Sequence, residues 1–322
     1  MIITRTPLRI SFTGGGTDIG DFYRLDGGAV VSMAINKYIY ITVNKKFDHA
    51  IRVSYSNTEI VQEVSELHHE LVREAMRLAE IDGGIEITSI ADIPSGTGLG
   101  SSSSFTVGVL NALNAYAGRR LSARQMAELA CQIEINILGH PIGKQDQYAA
   151  AYGGMNYFQF NADESVRGER ITLSEDNWHT MRRKLMLFYT GITRSADSVL
   201  KEQKKNTGNR LNELNEMKQQ AVNMYRELSE NGFTGNFGDA LHRGWIRKQT
   251  LAGAITNTEI TQLYETALAA GARGGKLLGA GGGGFFLFYC DEQYQHAVSK
   301  ALGLRQVDFA PDFYGSQVVY FA

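Results

Sequence analysis

Pro94-Ser-Gly-Thr-Gly-Leu-Gly-Ser-Ser-Ser-Ser-Phe105 is the stretch on which the reading of this chain turns. Gly96, Gly98 and Gly100 alternate, four serines follow, and an apolar run opens at Phe105. Glycine lets backbone amides approach a ligand closely, because no Cβ stands in the way. The segment from about Ser102 to Ala117 reads as a buried, mostly apolar helix. A glycine turn feeding a helix start presents unpaired N–H groups and the positive dipole end together, which suits phosphates. The serine hydroxyls can serve those phosphates or a Mg²⁺ ion, which takes oxygen ligands. The alternatives are an ordinary capped helix or a Gly/Ser linker, but linkers do not run directly into a buried helix. Gly-x-x-x-x-Gly-Lys-[Ser/Thr] does not occur, which sets aside the Walker pattern.

A second cluster, Gly279-Ala-Gly-Gly-Gly-Gly284, matches Gly-x-Gly-x-x-Gly by count but not by context. That fingerprint needs a helix directly after it, and Phe285-Phe-Leu-Phe-Tyr-Cys290 is strand-like. A strand–turn–strand hairpin is expected, its turn lying against something flat or charged. A third cluster opens the chain. Pro7-Leu-Arg-Ile-Ser-Phe-Thr-Gly-Gly-Gly-Thr-Asp18 joins an alternating strand to a triple-glycine turn that ends in a carboxylate. Asp18 either hydrogen-bonds sugar hydroxyls or caps the next helix, and the residues alone leave both open. In a fourth segment, Gly139-His-Pro-Ile-Gly-Lys-Gln-Asp146-Gln147, proline and glycine force an irregular turn that can aim a side chain inward. A loop cap is the alternative for Asp146. His140 and Lys144 read first as a turn histidine and a solvated lysine.

In this order and spacing, the three glycine clusters resemble the GHMP kinases over essentially the whole chain. The family's first motif matches Pro7 to Asp18, its phosphate loop Pro94 to Ser102, and its C-terminal glycine motif Lys276 to Phe286. The Gly-Gly-Gly-Thr-Asp turn is similar to the branch that phosphorylates sugars at the anomeric position. The resemblance implies two α+β domains, the first of the ribosomal-protein type and the second ferredoxin-like, with the nucleotide between them. The boundary is expected near Thr180, dividing the chain into 1–180 and 181–322. The implied activity is ATP-dependent phosphorylation of a sugar. The overall pattern implies heptose 7-phosphate as acceptor, with fucose or another sugar as the alternative and a non-catalytic sensor as a remote one.

The resemblance also implies residue roles. Asp146 faces the acceptor hydroxyl as base, and Arg9 falls where a basic residue stands beside it, which keeps a carboxylate ionised. Pro94, Gly96, Gly98, Leu99, Gly100, Ser101, Ser102 and Ser103 would hold ATP. Ser102 and Glu134 would bind Mg²⁺, although four consecutive serines leave the register open by one. Gly14, Gly15, Gly16, Thr17 and Asp18, with Gly281 and Gly282 of the last turn, would surround the sugar. Lys37, Lys144 and Arg194 are unranked candidates for reading the acceptor's own phosphate.

Composition bounds the rest. The chain has 322 residues, 43% of them hydrophobic, and a net charge of −2 without a basic block, which argues against nucleic acid. No run approaches the length of a membrane span, and the first residues lack a signal peptide's apolar region. Cys131 and Cys290 lie far apart in apolar surroundings and read as buried free thiols, as in a cytoplasmic protein. The oligomeric state is not legible. Strands are expected at Ala29–Ile35, Tyr38–Val43, Ile51–Ser54, Ile85–Ile90 and Leu185–Tyr189. Helices are expected at Val64–Ala79, from a capping box at Ser122, and at Asn209–Ser229. His68 and His69 read as solvated surface.

Overall fold

The computed structural model describes residues 1–192 and 196–322. Arg194, one of the three cation candidates, lies outside the described residues. Helices and strands mix in an α+β architecture with two antiparallel-dominated sheets.

The first sheet is built from β1 (Ile2–Thr13), β2 (Gly28–Lys45), β3 (Ile51–Ser54), β4 (Thr58–Val61), β5 (Ile85–Ala91), β6 (Met155–Phe160) and β7 (Val166–Arg170). β2 replaces the two separate strands expected from the sequence. It runs unbroken because Asn36 and Lys37 form an irregularity: the register against β1 jumps from Pro7↔Tyr38 to Leu8↔Ile35. That bend lets its first half pair with β6 and its second half with β5. The second sheet contains β8 (Leu185–Tyr189), β9 (Ala272–Leu277), β10 (Phe285–Cys290) and β11 (Arg305–Gln306), in the order β11-β8-β10-β9. The chain then returns, and β12 (Gln317–Phe321) pairs antiparallel with β1.

The helix after the phosphate loop runs Ser101–Tyr116, with Gly100 at its N-cap in the left-handed region. Its buried face lies on β1, where Ser104 Oγ donates to the Pro7 carbonyl at 2.8 Å. The single helix expected over Val64–Ala79 is two pieces, a 3₁₀ turn at Val64–Glu66 and a helix at Glu70–Leu78. The Glu59 carboxylate accepts from the amides of His68 and His69, at 2.6 and 3.0 Å, and so claims donors that would otherwise continue a helix. The Ser122–Gln125 capping box forms as expected, and both cysteines are buried and free.

Apolar burial holds the two sheets together. The main cluster carries Phe12 and Val31 of the first sheet, Ala221 and Met224 of the Leu211–Glu230 helix, and Phe285 and Tyr289 of β10. Phe12 meets Phe237 edge to face at 5.1 Å, a geometry aromatic pairs favour. The site lies at this seam.

Candidate active site

The phosphate loop and the C-terminal glycine turn interlock. Gly98 has φ +82°, and a Cβ there would stand 2.4 Å from the Leu278 carbonyl oxygen. Gly284, at φ +98°, is equally close to the Thr97 carbonyl, 2.2 Å from the position of its own missing Cβ. Backbone therefore packs on backbone, which only glycine permits. The hairpin expected across Gly279–Gly284 is present, β9 pairing with β10. The surface beneath its turn is the phosphate loop itself.

Arg9 ties this seam to the fourth segment. Its Nε and Nη2 donate to the two Asp146 carboxylate oxygens, each at 2.7 Å, and its Nη1 donates to the Gly98 carbonyl at 2.6 Å. Such a forked pair fixes orientation as well as charge. Arg9 is 5% exposed and Asp146 23% exposed, so the carboxylate keeps an open side. Asp146 sits in the first turn of the Gln145–Tyr152 helix, whose dipole favours a carboxylate there.

Asp146 and Arg9 stand where two cavities meet. One, about 1050 Å³ with its open mouth, is lined by Gly96, Gly98, Gly100, Ser101, Ser102, Ser103 and Gly281. The other, about 570 Å³ with its mouth, is lined by Ser11, Gly15, Gly16, Asp18, Gln145, Lys248 and Lys276. A third cavity of about 900 Å³ adjoins the helix start at Ser101 and Ser102 and is walled by Ile39, Tyr55, His69, Ile93 and Phe105.

Asp18 locks the first motif to the fourth segment. Its carboxylate accepts from the Gly16 amide at 2.9 Å, the Gln145 amide at 3.1 Å and Gln145 Nε2 at 3.3 Å. Burial pushes its pKa up, and the Asp146 charge adds to that rise. Gly143 makes the approach possible, since a Cβ there would stand 1.9 Å from an Asp18 oxygen. Ser11 Oγ and Gln145 Oε1 are buried on the wall of this cavity without a hydrogen-bond partner among the described residues. Buried polar atoms left open in this way mark where a polar ligand completes the network.

Glu134 lies in a π-turn, Gln132–Ile137, a local register change that the helical expectation missed. It is fully buried, and its oxygens accept from Ser102 Oγ at 3.3 Å, Ser103 Oγ at 2.9 Å, Thr106 Oγ1 at 3.1 Å and Gln147 Nε2 at 2.5 Å. Burial raises its pKa above the ordinary value. No cation pairs with it among the described residues. Ser102 is the exposed member of the serine run, whereas Ser104 is buried and spent on β1.

Other expected site residues sit elsewhere. Leu99 belongs to the hydrophobic core and lines none of the three cavities described, although its carbonyl accepts from the Arg9 amide at 2.9 Å. Pro94 lines none of the three cavities described and shapes the loop through its carbonyl, which accepts from Thr97 Oγ1 at 3.0 Å. Gly14 packs against the Ala29 carbonyl, and Thr17 Oγ1 bonds that same carbonyl at 2.9 Å, so both support the turn from behind. Gly282 donates its amide to Ile255 rather than facing a cavity. Lys144 is held by Glu164 at 2.5 Å, and Lys37 lines none of the cavities. His140 pairs with Glu70 at 2.9 Å. His69 is not solvated surface: its ring stacks on Phe105 at 4.8 Å, and burial lowers its pKa.

Sequence reasoning missed Thr106, Gln147 and Lys248. Nothing in a helical pattern marks which face of a helix meets a site. Lys276, just before the C-terminal glycine cluster, carried a local signal.

Two family models match: the GHMP kinase N-terminal domain over residues 60–154 and the GHMP kinase C-terminal region over 209–306. The chain is 30% identical to the D-glycero-alpha-D-manno-heptose 7-phosphate kinase of Campylobacter jejuni subsp. jejuni serotype O:2, over 97% of this chain and 96% of that one. It belongs to the GHMP kinases. This GHMP kinase is an ATP-dependent sugar kinase. It is also 28% identical to the L-fucokinase/L-fucose-1-P guanylyltransferase of Bacteroides fragilis, over 92% of this chain and 35% of that protein. A solved D-glycero-D-manno-heptose 1-phosphate kinase from Bacteroides thetaiotaomicron shares its fold, with a TM-score of 0.84 at 24% identity and full coverage of both chains.

Proposed function

We propose that this GHMP kinase transfers the γ-phosphoryl group of ATP to the anomeric hydroxyl of D-glycero-D-manno-heptose 7-phosphate, giving heptose 1,7-bisphosphate and ADP. The observation that carries the reading is the position of Asp146 at the junction of the two cavities, held by Arg9. In this reading the glycine-lined cavity takes the phosphates at the Ser101 helix start. The third cavity takes the base between His69, Phe105 and aliphatic walls. The remaining cavity takes the sugar, whose hydroxyls complete Ser11 Oγ and Gln145 Oε1. The heptose assignment is supported by the Campylobacter relative's name and by the Gly-Gly-Gly-Thr-Asp turn.

Asp146 accepts the proton of the anomeric hydroxyl as the oxygen–phosphorus bond forms and the bond to the β,γ-bridging oxygen breaks, releasing ADP. Arg9 holds the carboxylate in place and offsets its charge. Asp18, anchored by three donors, fixes the wall that orients the sugar.

Mg²⁺ fits the residues at the loop. Ser102 and Glu134 offer oxygens, and the buried Glu134 carboxyl has no cation beside it among the described residues. Bound there, the ion would offset charge between the β- and γ-phosphates. Ser102→Ala is expected to raise the Mg²⁺ concentration giving half-maximal rate, while Ser104→Ala, on the far side, leaves it unchanged. A titration showing the reverse moves the metal to another serine.

We keep the division near Thr180 into 1–180 and 181–322 as a proposal; Thr180 lies within the Glu175–Lys184 helix, and β12 crosses back to the first sheet. No helix among the described residues is long and apolar enough to cross a membrane. We place the enzyme in the cytoplasm, with ATP and a sugar phosphate as its small-molecule partners. Steady-state rates on heptose 7-phosphate, free heptose and L-fucose test the acceptor. Heptose 7-phosphate is expected to have the highest kcat/KM. L-fucose turning over best would reassign the enzyme to the fucokinase side of the family, and ligand binding without ADP release would make it a sensor.

A further inference from the structure

Two buried lysines line the acceptor cavity, and the mechanism above uses neither. Lys248, in the last turn of the Asn236–Gln249 helix, is 6% exposed, and Lys276 of β9 is 5% exposed. Lys248 Nζ donates to the Gly279 carbonyl, and Lys276 Nζ donates to the Phe12 carbonyl at 3.0 Å. Among the described residues neither has an ion-pair partner. A lysine has three donors, and a carbonyl satisfies one of them.

The charges in the cavity do not balance. Arg9, Lys248 and Lys276 line it with only Asp18 and Asp146 as carboxylates, and Arg9 and Asp146 already neutralise each other. Burial disfavours every charge here: it raises the Asp18 pKa and lowers those of Lys248 and Lys276, so an arriving anion would restore charge to the lysines. Both lysines line the acceptor cavity and not the glycine-lined one. Unpaired buried cations are costly, so their presence points to an anion that arrives with the ligand. A neutral sugar leaves them unpaired, whereas a phosphate monoester supplies about two charges and three acceptor oxygens.

We propose that Lys248 and Lys276 form the subsite that binds the acceptor's own phosphate, so that this chain selects phosphorylated over unphosphorylated sugars. The proposal deepens the sugar phosphate reading above and rests on it for the identity of the acceptor. Arg9, Asp18, Asp146 and Lys276 are the charged groups facing Lys248, and burial followed by repulsion from Arg9 lowers its pKa to about 8. A lysine lowered in the folded protein loses its charge as pH rises through that value. kcat/KM for the phosphorylated acceptor therefore falls above about pH 8.

The test has two arms. In the first, kcat/KM is measured on heptose 7-phosphate and free heptose for the wild type, Lys248→Met and Lys276→Met. Each variant is expected to lower the preference for the phosphorylated sugar by about tenfold or more, the scale of a hydrogen bond to a charged group, mainly through its KM. KM for ATP stays unchanged, and any fall in melting temperature is small, because the lost bond to a backbone carbonyl is offset by removal of a buried amine that has no ion-pair partner among the described residues. An equal loss of kcat on both acceptors would put the lysines on the transferred phosphoryl group and overturn the proposal, as would an unchanged preference. In the second, calorimetry follows inorganic phosphate binding with a non-hydrolysable ATP analogue filling the nucleotide cavity. Binding weakened about tenfold or more in either variant supports the subsite, and binding that is absent or equal in all three proteins refutes it. Lysine-dependent phosphate binding by an enzyme that does not turn over heptose 7-phosphate would retain the subsite and discard the heptose assignment.

Discussion

Asp146→Asn is expected to lower kcat by roughly 10²- to 10⁴-fold, the usual contribution of a positioned general base. The amide keeps the shape of the side chain but cannot take the acceptor's proton. It also breaks the forked pair, because one carboxylate oxygen facing Arg9 at 2.7 Å is replaced by an NH₂ group. Arg9 retains the Gly98 carbonyl at 2.6 Å, so the phosphate loop stays anchored and KM for ATP changes little. Single-turnover kinetics check this by separating chemistry from binding. A mutant that keeps more than half the wild-type rate removes Asp146 as the base.

Gly98→Ala is expected to have the next largest effect. The new methyl would lie 2.4 Å from the Leu278 carbonyl oxygen, and neither backbone can yield without opening the seam between the two glycine loops. The left-handed φ adds strain of about 1–2 kcal/mol. A displacement of about 1 Å in a phosphate-binding loop can cost roughly 10²-fold in rate. kcat/KM for ATP should fall on that scale, together with the melting temperature. Gly96→Ala is the matched control, since Gly96 also has positive φ, +74°, but nothing lies within 4 Å of its missing Cβ. It carries the strain without the collision, so its loss should be much smaller. Equal losses in the two mutants would mean that backbone strain, not the interlock, governs the loop.

The glycine clusters were legible because their chemistry is local. Alternating glycines before an apolar helix need no partner to be informative, and the aromatic run after Gly284 specified a strand. Partners from distant segments were not legible. Glu59 reaches forward to the His68 and His69 amides, and that contact splits a helix whose apolar spacing had read as continuous. His69 looked solvated until Phe105 supplied its stacking surface. Lys144 stands two residues from Asp146 in sequence, yet Glu164 holds it away, whereas Lys248 reaches the cavity from a helix more than a hundred residues later. Glu134 was placed on a helix, but the π-turn that directs it toward Ser102 and Ser103 leaves no mark in the residue pattern.

The proposed function and the proposed lysine subsite together predict that phosphate is delivered to the anomeric oxygen of a sugar that already carries one at its far end. Phosphorus NMR of the product made from ATP and heptose 7-phosphate tests this most directly. The expected spectrum contains ADP and, in equal amount, a sugar bearing two phosphate esters, one coupled to the anomeric proton. ADP with only free inorganic phosphate, or a new ester on any other carbon, would contradict it.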